Sequence, residues 1–185
     1  DCSVVVQEPH LRIPGVARGE RQEDAATAKV LYEEASASGH VEAHLALANL
    51  ARASGNMKGA LEAHRRAHQA APHNLKALNN LGVIEVDTGE TAEALVHFEA
   101  AIALSDNAAT RTNAANACSI LGKGKEAVSH LARAHELAPS SAEILRRLGR
   151  ALATDGNVEP AAAVLARSLA LEPQDGATLD LGRLE

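Results

Sequence analysis

Four glycines recur along this chain at a nearly constant interval. Gly55, Gly89, Gly122 and Gly156 are separated by 34, 33 and 34 residues. Alanine follows each of them by five residues, at Ala60, Ala94, Ala127 and Ala161, and a small residue stands seven further on, at Ala67, Ala101, Ala134 and Ser168. Seven residues before each glycine lie Ala48, Gly82, Ala115 and Gly149. Small residues returning in register at this period mark a chain built by stacking one supersecondary unit, in which each copy buries its apolar face against its neighbours.

The spacing within one period predicts two helices. The first helices are expected over 41–54, 75–88, 108–121 and 142–155, each ending at a glycine able to adopt the left-handed cap conformation. The second helices are expected over 57–70, 91–104, 124–137 and 158–171. Three units close on Pro72, Pro139 and Pro173, and the remaining one has Asp106; the residue before a proline disfavours helical geometry. Pro160 falls in the first turn of its helix, where a missing N–H costs little. The stretch Asn79-Asn80-Leu81-Gly82 looks wrong for a helix interior, because Asn and Gly are poor helix formers. At this register, however, Gly82 lies where two antiparallel helices approach most closely, so packing outweighs propensity.

Composition points the same way. The 185 residues are 46% hydrophobic and carry a net charge of -6, with one Phe, one Tyr and no Trp. A core built from Ala, Leu, Val and Ile needs its backbones close together, which favours packed helices over a sandwich. Mild acidity argues against nucleic acid as a partner, because phosphate binding rests on clustered Lys and Arg. No apolar run approaches the roughly 18 residues of a membrane span, so no direct membrane insertion is expected. Cys2 and Cys118 are too few for a disulfide framework; Cys118, among small helical residues, reads as a buried thiol.

The pattern resembles the tetratricopeptide repeat, a 34-residue helix-turn-helix unit with Leu-Gly in its first helix, Ala in its second and a closing Pro. The resemblance covers 41–175 as four units, 41–74, 75–107, 108–141 and 142–175. It implies an all-α, right-handed α-solenoid of antiparallel helix pairs. The family's aromatics are mostly replaced: His44, Leu78, Arg111 and Leu145 occupy the usual Trp position, and His64, Phe98, Leu131 and Leu165 a second aromatic one. Residues 21–40 read as a partial repeat with a single helix, and their junction with the first unit resembles a Sel1-like repeat. Residues 1–20, with Val4, Val5 and Val6 between prolines and polar residues, read as an extended arm that docks on the solenoid or a neighbour. Residues 176–185 resemble the start of a further helix, so the chain is read as a piece of a longer protein.

In this family the first helices line a concave groove, and the resemblance implies which residues face it. They are Glu42, Leu45, Ala46, Asn49 and Arg52, then Lys76, Asn79, Asn80, Val83 and Val86. The third unit adds Ala109, Thr112, Asn113, Asn116 and Ser119, and the fourth Glu143, Arg146, Arg147, Arg150 and Ala153. Asn carries a donor and an acceptor on one short side chain, so Asn49, Asn79, Asn80, Asn113 and Asn116 resemble a ladder that grips a peptide backbone. The alternative is that Asn is simply common at the sixth position of such units. Arg146, Arg147 and Arg150, joined by Arg111, would make one end basic and suited to an acidic ligand end, or would form an ordinary solvated helix face. The family's carboxylate clamp needs basic residues where Leu45, Asn49, Asn80, Ala109 and Asn113 stand, so it is not expected.

His40 with His44, and His64 with His68, have the i, i+4 spacing that places two imidazoles on one helix face. Both His44 and His64 replace core aromatics and lack a third ligand, so structural histidines, and no metal, are expected. Without a phosphate loop, a G-x-S-x-G elbow or a Cys beside a base, neither a cofactor nor catalysis is expected. The sequence therefore reads as a non-enzymatic protein-interaction module, a scaffold or adaptor within a larger complex that binds a protein or extended peptide. The competing reading is a regulatory or substrate-recruiting segment of a larger enzyme.

Overall fold

The computed structural model describes residues 30, 32–36 and 39–171. The expected arm at 1–20, most of the partial repeat, Pro173 and the further helix at 176–185 lie outside the described residues. Eight helices follow in order over 39–171. They are α1 (Val41–Ala53), α2 (Met57–Ala70), α3 (Leu75–Thr88), α4 (Thr91–Leu104), α5 (Ala108–Ile120), α6 (Gly124–Leu137), α7 (Ala142–Thr154) and α8 (Val158–Leu171). They form antiparallel pairs α1/α2, α3/α4, α5/α6 and α7/α8, which stack into a right-handed α-solenoid. Three first helices stop one residue short of the expected 54, 121 and 155, because the turn is already made by the two residues before and at the glycine. No described helix is long and apolar enough to cross a membrane.

Local chemistry sets the ends. Gly89 has φ 90°, in the left-handed region, and its N–H reaches back to the Glu85 and Val86 carbonyls; Gly55, Gly122 and Gly156 also have positive φ. At the other ends, side-chain oxygens of Asn56, Asn74, Asn107 and Ser141 accept hydrogen bonds from the backbone N–H three residues on. Each satisfies one of the donors a helix start leaves orphaned.

The helix pairs meet on small residues. Ala48, Ala60, Ala67, Ala94, Ala101, Ala134 and Ala161 are fully buried. A Cβ on Gly82 would sit 2.6 Å from Phe98 Cε1, and one on Gly149 would sit 2.6 Å from Leu165 Cγ. Gly82 is thus the floor on which the single Phe ring lies, and Phe98 itself packs with Ala94, Ile102, Ala114 and Ala117. Ser168, the one hydroxyl in the small-residue series, is buried and donates to the Ala142 carbonyl oxygen at 2.8 Å.

Asp106 supplies what a closing proline does elsewhere. Its two carboxylate oxygens accept from Arg111 Nε at 2.8 Å and Arg133 Nε at 2.9 Å, tying the loop before α5 to α6. These hydrogen bonds, Arg111's first, hold the Asp106 carboxyl below its usual pKa. Arg111 also reaches His130 Nδ1 at 3.3 Å, and His130 Nε2 lies 3.1 Å from Glu99. Where the family has an aromatic, an ion-pair network therefore stands. Replacing Gly82 with Leu should overpack the α3/α4 contact and destabilise the chain by about 1–3 kcal/mol. Thermal denaturation checks this; an unchanged midpoint would mean that Phe98 does not rest on Gly82.

Candidate functional site

The first helices α1, α3, α5 and α7 lie side by side, and residues 34 apart on neighbouring helices meet. Asn113 Nδ2 donates to Asn79 Oδ1 at 3.0 Å, and Lys76 Nζ donates to Glu42 Oε2 at 3.0 Å. Both pairs are rungs between successive helices of one strip. Asn79 and Asn113, both expected in the ladder, thus already bind each other: two carboxamides facing each other supply complementary donor and acceptor. One rung uses one donor and one acceptor, which leaves Asn79's amide hydrogens and Asn113's carbonyl oxygen for other partners. Asn80 is half-buried on α3, whereas Asn49 on α1 and Asn116 on α5 are exposed. Leu45 does not face this strip; it is 2% exposed and packs with Ala67 and Ala77, because its side of α1 meets α2 and α3.

Between α5, α6 and α7 the strip deepens into a cleft of about 410 Å³ that brings together Asn116, Arg147, Arg150 and Asp155. Thr112 and Ser119 line it as well, with their hydroxyls donating to their own helix at Ala108 and Ala115. Asp155 was missed by the sequence reading, since it precedes the turn glycine Gly156 and looks like a capping residue. It reaches the cleft beside Gly124, whose missing Cβ would lie 3.0 Å from its Oδ1.

The arginines are paired within their own helix. Glu143 accepts from Arg147 Nε at 2.6 Å and also from Arg146. The Glu→Arg spacings of three and four residues were legible in the sequence, and such pairs meet on a helix surface. Arg146 is half-buried, while Arg147 and Arg150 are exposed. Arg111 does not join this group; Asp106 and His130 hold it at the α4–α6 joint.

Among the described residues no group of three or more His, Cys, Asp or Glu could hold a metal ion. His64 is 3% exposed with a buried Nδ1 that lacks a hydrogen-bond partner. Burial, with Arg52 adding to it, pushes its pKa down to about 4. His68 stacks edge-on against His97 at 5.2 Å, and His97 Nδ1 lies 2.7 Å from the buried Glu85. Desolvation raises the Glu85 pKa despite this partner. Burial also pushes the Cys118 thiol up to about 11, so it is a weak nucleophile.

The tetratricopeptide-repeat family matches this chain twice, over residues 45–109 and 120–181. Together the matches span more than half of the chain, which belongs to the tetratricopeptide-repeat family. No curated protein matches it. The crystal structure of YrrB, a tetratricopeptide-repeat protein with an unusual peptide-binding site, is similar at TM-score 0.76 and 22% identity, covering 89% of this chain and 86% of that chain. The crystal structure of MamA is similar at TM-score 0.72 and 20% identity, covering 78% of this chain and 80% of the other. The APC/C hetero-tetramer Cut9-Hcn1 is similar at TM-score 0.72 and 22% identity, with 89% of this chain covered and 34% of that one. At these identities the likeness is one of fold. The family membership supports a protein–protein interaction module, of a kind that is typically non-catalytic.

His64 gives a pH dependence with a definite sign. Its folded pKa lies below the ordinary His value of 6.5, so its contribution to stability is full above pH 6.5 and is lost as pH falls toward 4. The loss should be on the order of 3 kcal/mol. Denaturant titrations across that range should show the slope, and His64→Phe should flatten it; an equal slope in both proteins would place the titration elsewhere.

Proposed function

We propose that the strip along α1, α3, α5 and α7 is a concave groove that binds an extended segment of a partner protein, making this chain a non-enzymatic scaffold or adaptor. The observation that carries the reading is the Asn79–Asn113 rung. Two carboxamides hold each other in place across adjacent helices while keeping a donor and an acceptor for a peptide backbone. Asn49, Asn80 and Asn116 extend the row on either side, and Arg146, Arg147 and Arg150 place net positive charge toward α7. An acidic end of the ligand would lie there. The peptide-binding site of YrrB and the subunit assembly of Cut9-Hcn1 suit this reading.

The test is a selection of displayed peptides against the chain, followed by affinity measurements on variants. The triple change Asn80→Ala, Asn113→Ala and Asn116→Ala should weaken binding by about 0.5–1.5 kcal/mol for each hydrogen bond lost, with little change in melting temperature. The triple change of Arg146, Arg147 and Arg150 to Ala should weaken acidic ligands selectively and remove their salt dependence. Lys58→Ala and Lys125→Ala, on the second helices, should have no effect. Binding that survives both groove triples and is abolished by the second-helix changes would overturn the assignment.

A further inference from the structure

The outer face of α4 differs from those of its neighbours. Ala92, Val96, Ala100 and Ala103 are exposed on it, with Leu104 at its end, and their spacing makes one apolar row along the helix. Val96 is 66% and Leu104 47% accessible. The row lies away from α3 and α5, against which α4 packs. At the places of Ala92, Val96 and Ala100, α2 carries Lys58, Glu62 and Arg66, and α6 carries Lys125, Ser129 and Arg133, as a solvated helix face does. Both helices flank α4. His68 of α2 meets His97 ring to ring at 5.2 Å, and His130 Nε2 of α6 lies 3.1 Å from Glu99.

We infer that this face is a dimer contact: α4 packs antiparallel on α4 of a second copy, about a two-fold axis midway between Val96 and Ala100. In that register Val96 lies over the partner's Ala100, and Leu104 over the partner's Ala92. Each larger side chain therefore meets a small one, as Phe98 meets Gly82 and Leu165 meets Gly149 within the chain. A two-fold contact uses the same patch on both copies. Parallel helices would set Val96 on Val96, whereas antiparallel ones make the row complementary to itself and oppose the helix dipoles. The charges beside the row favour a second copy over an unrelated apolar helix. The axis carries α2 over the partner's α6, and the same register sets Glu62 against the partner's Arg133 and Lys58 beside the partner's Glu136. The Glu62 and Arg133 side chains are 58% and 46% accessible, so each can take a further partner. The first-helix strip of each copy stays uncovered on the opposite side, which would make the groove proposed above bivalent; the dimer itself does not depend on that groove.

Sedimentation equilibrium of the whole chain from about 10 to 500 μM should show a concentration-dependent monomer–dimer equilibrium. Val96→Glu should weaken the dimer at least about ten-fold, because it buries a carboxylate in the seam, and should leave the melting curve at low concentration unchanged. Glu62→Arg should weaken the dimer about two- to five-fold. Val158→Glu, at an exposed apolar position on α8, should have no effect. The direction of pairing is read from single cysteines at 96 and 100 in a Cys2→Ser background, with Cys118 buried. A Val96→Cys chain should cross-link to an Ala100→Cys chain faster than either does to itself. A chain that stays monomeric throughout, or a dimer indifferent to Val96→Glu, overturns the inference. Faster cross-linking of Val96→Cys to itself would make the helices parallel and sink the seam described.

Discussion

Everything in this solenoid depends on how closely two helix backbones can approach within a pair. The contact residues are Ala, Gly and Ser, and where a larger group is present the opposing position is reduced to match: Phe98 lies on Gly82, and Leu165 on Gly149. Interiors are packed like crystals, so a methyl group too many at such a point is felt at once. The close approach also fixes the spacing between successive first helices. That spacing brings residues 34 apart into register and builds the Asn79–Asn113 and Glu42–Lys76 rungs.

Loss of the large aromatics common in this family is met by different means in different pairs. In α1/α2, His44 and His64 fill aromatic positions as buried imidazoles, and His64 is held neutral by its burial. At the joint leading into α5/α6, Arg111 stands in the aromatic position and is drawn into a network with Asp106, His130, Arg133 and Glu99. In α7/α8 the positions are simply Leu145 and Leu165, both 1% exposed. A network of partly exposed ion pairs contributes less than a buried ring, so the solenoid's stability is uneven along its length. The polar pairs also carry pH sensitivity, which leucines cannot.

The strip along the first helices shows how surface charge behaves on a regular scaffold. Lys76, Arg146 and Arg147 are each met by a glutamate of the same or the adjacent first helix.

The sequence by itself determined the fold. The glycine and alanine period specifies where each helix ends and which residues meet, because both facts follow from local backbone chemistry and from volume. The i, i+3 and i, i+4 spacings of Glu143 from Arg146 and Arg147 offered the same kind of local signal, but reading the arginines alone as a basic end missed the pairing. What only the tertiary structure decided were contacts between helices distant in sequence. Asn79 and Asn113 pair because two helices pack in a definite register, and a side chain's faced neighbour across that gap is not encoded in its own segment. Arg111 turned to Asp106 and His130 instead of joining the basic end, and Leu45 turned into the core, because the rotation of each helix about its axis is set by the sum of its packing contacts. Asp155 entered the cleft only because Gly124 on a neighbouring helix leaves room for it.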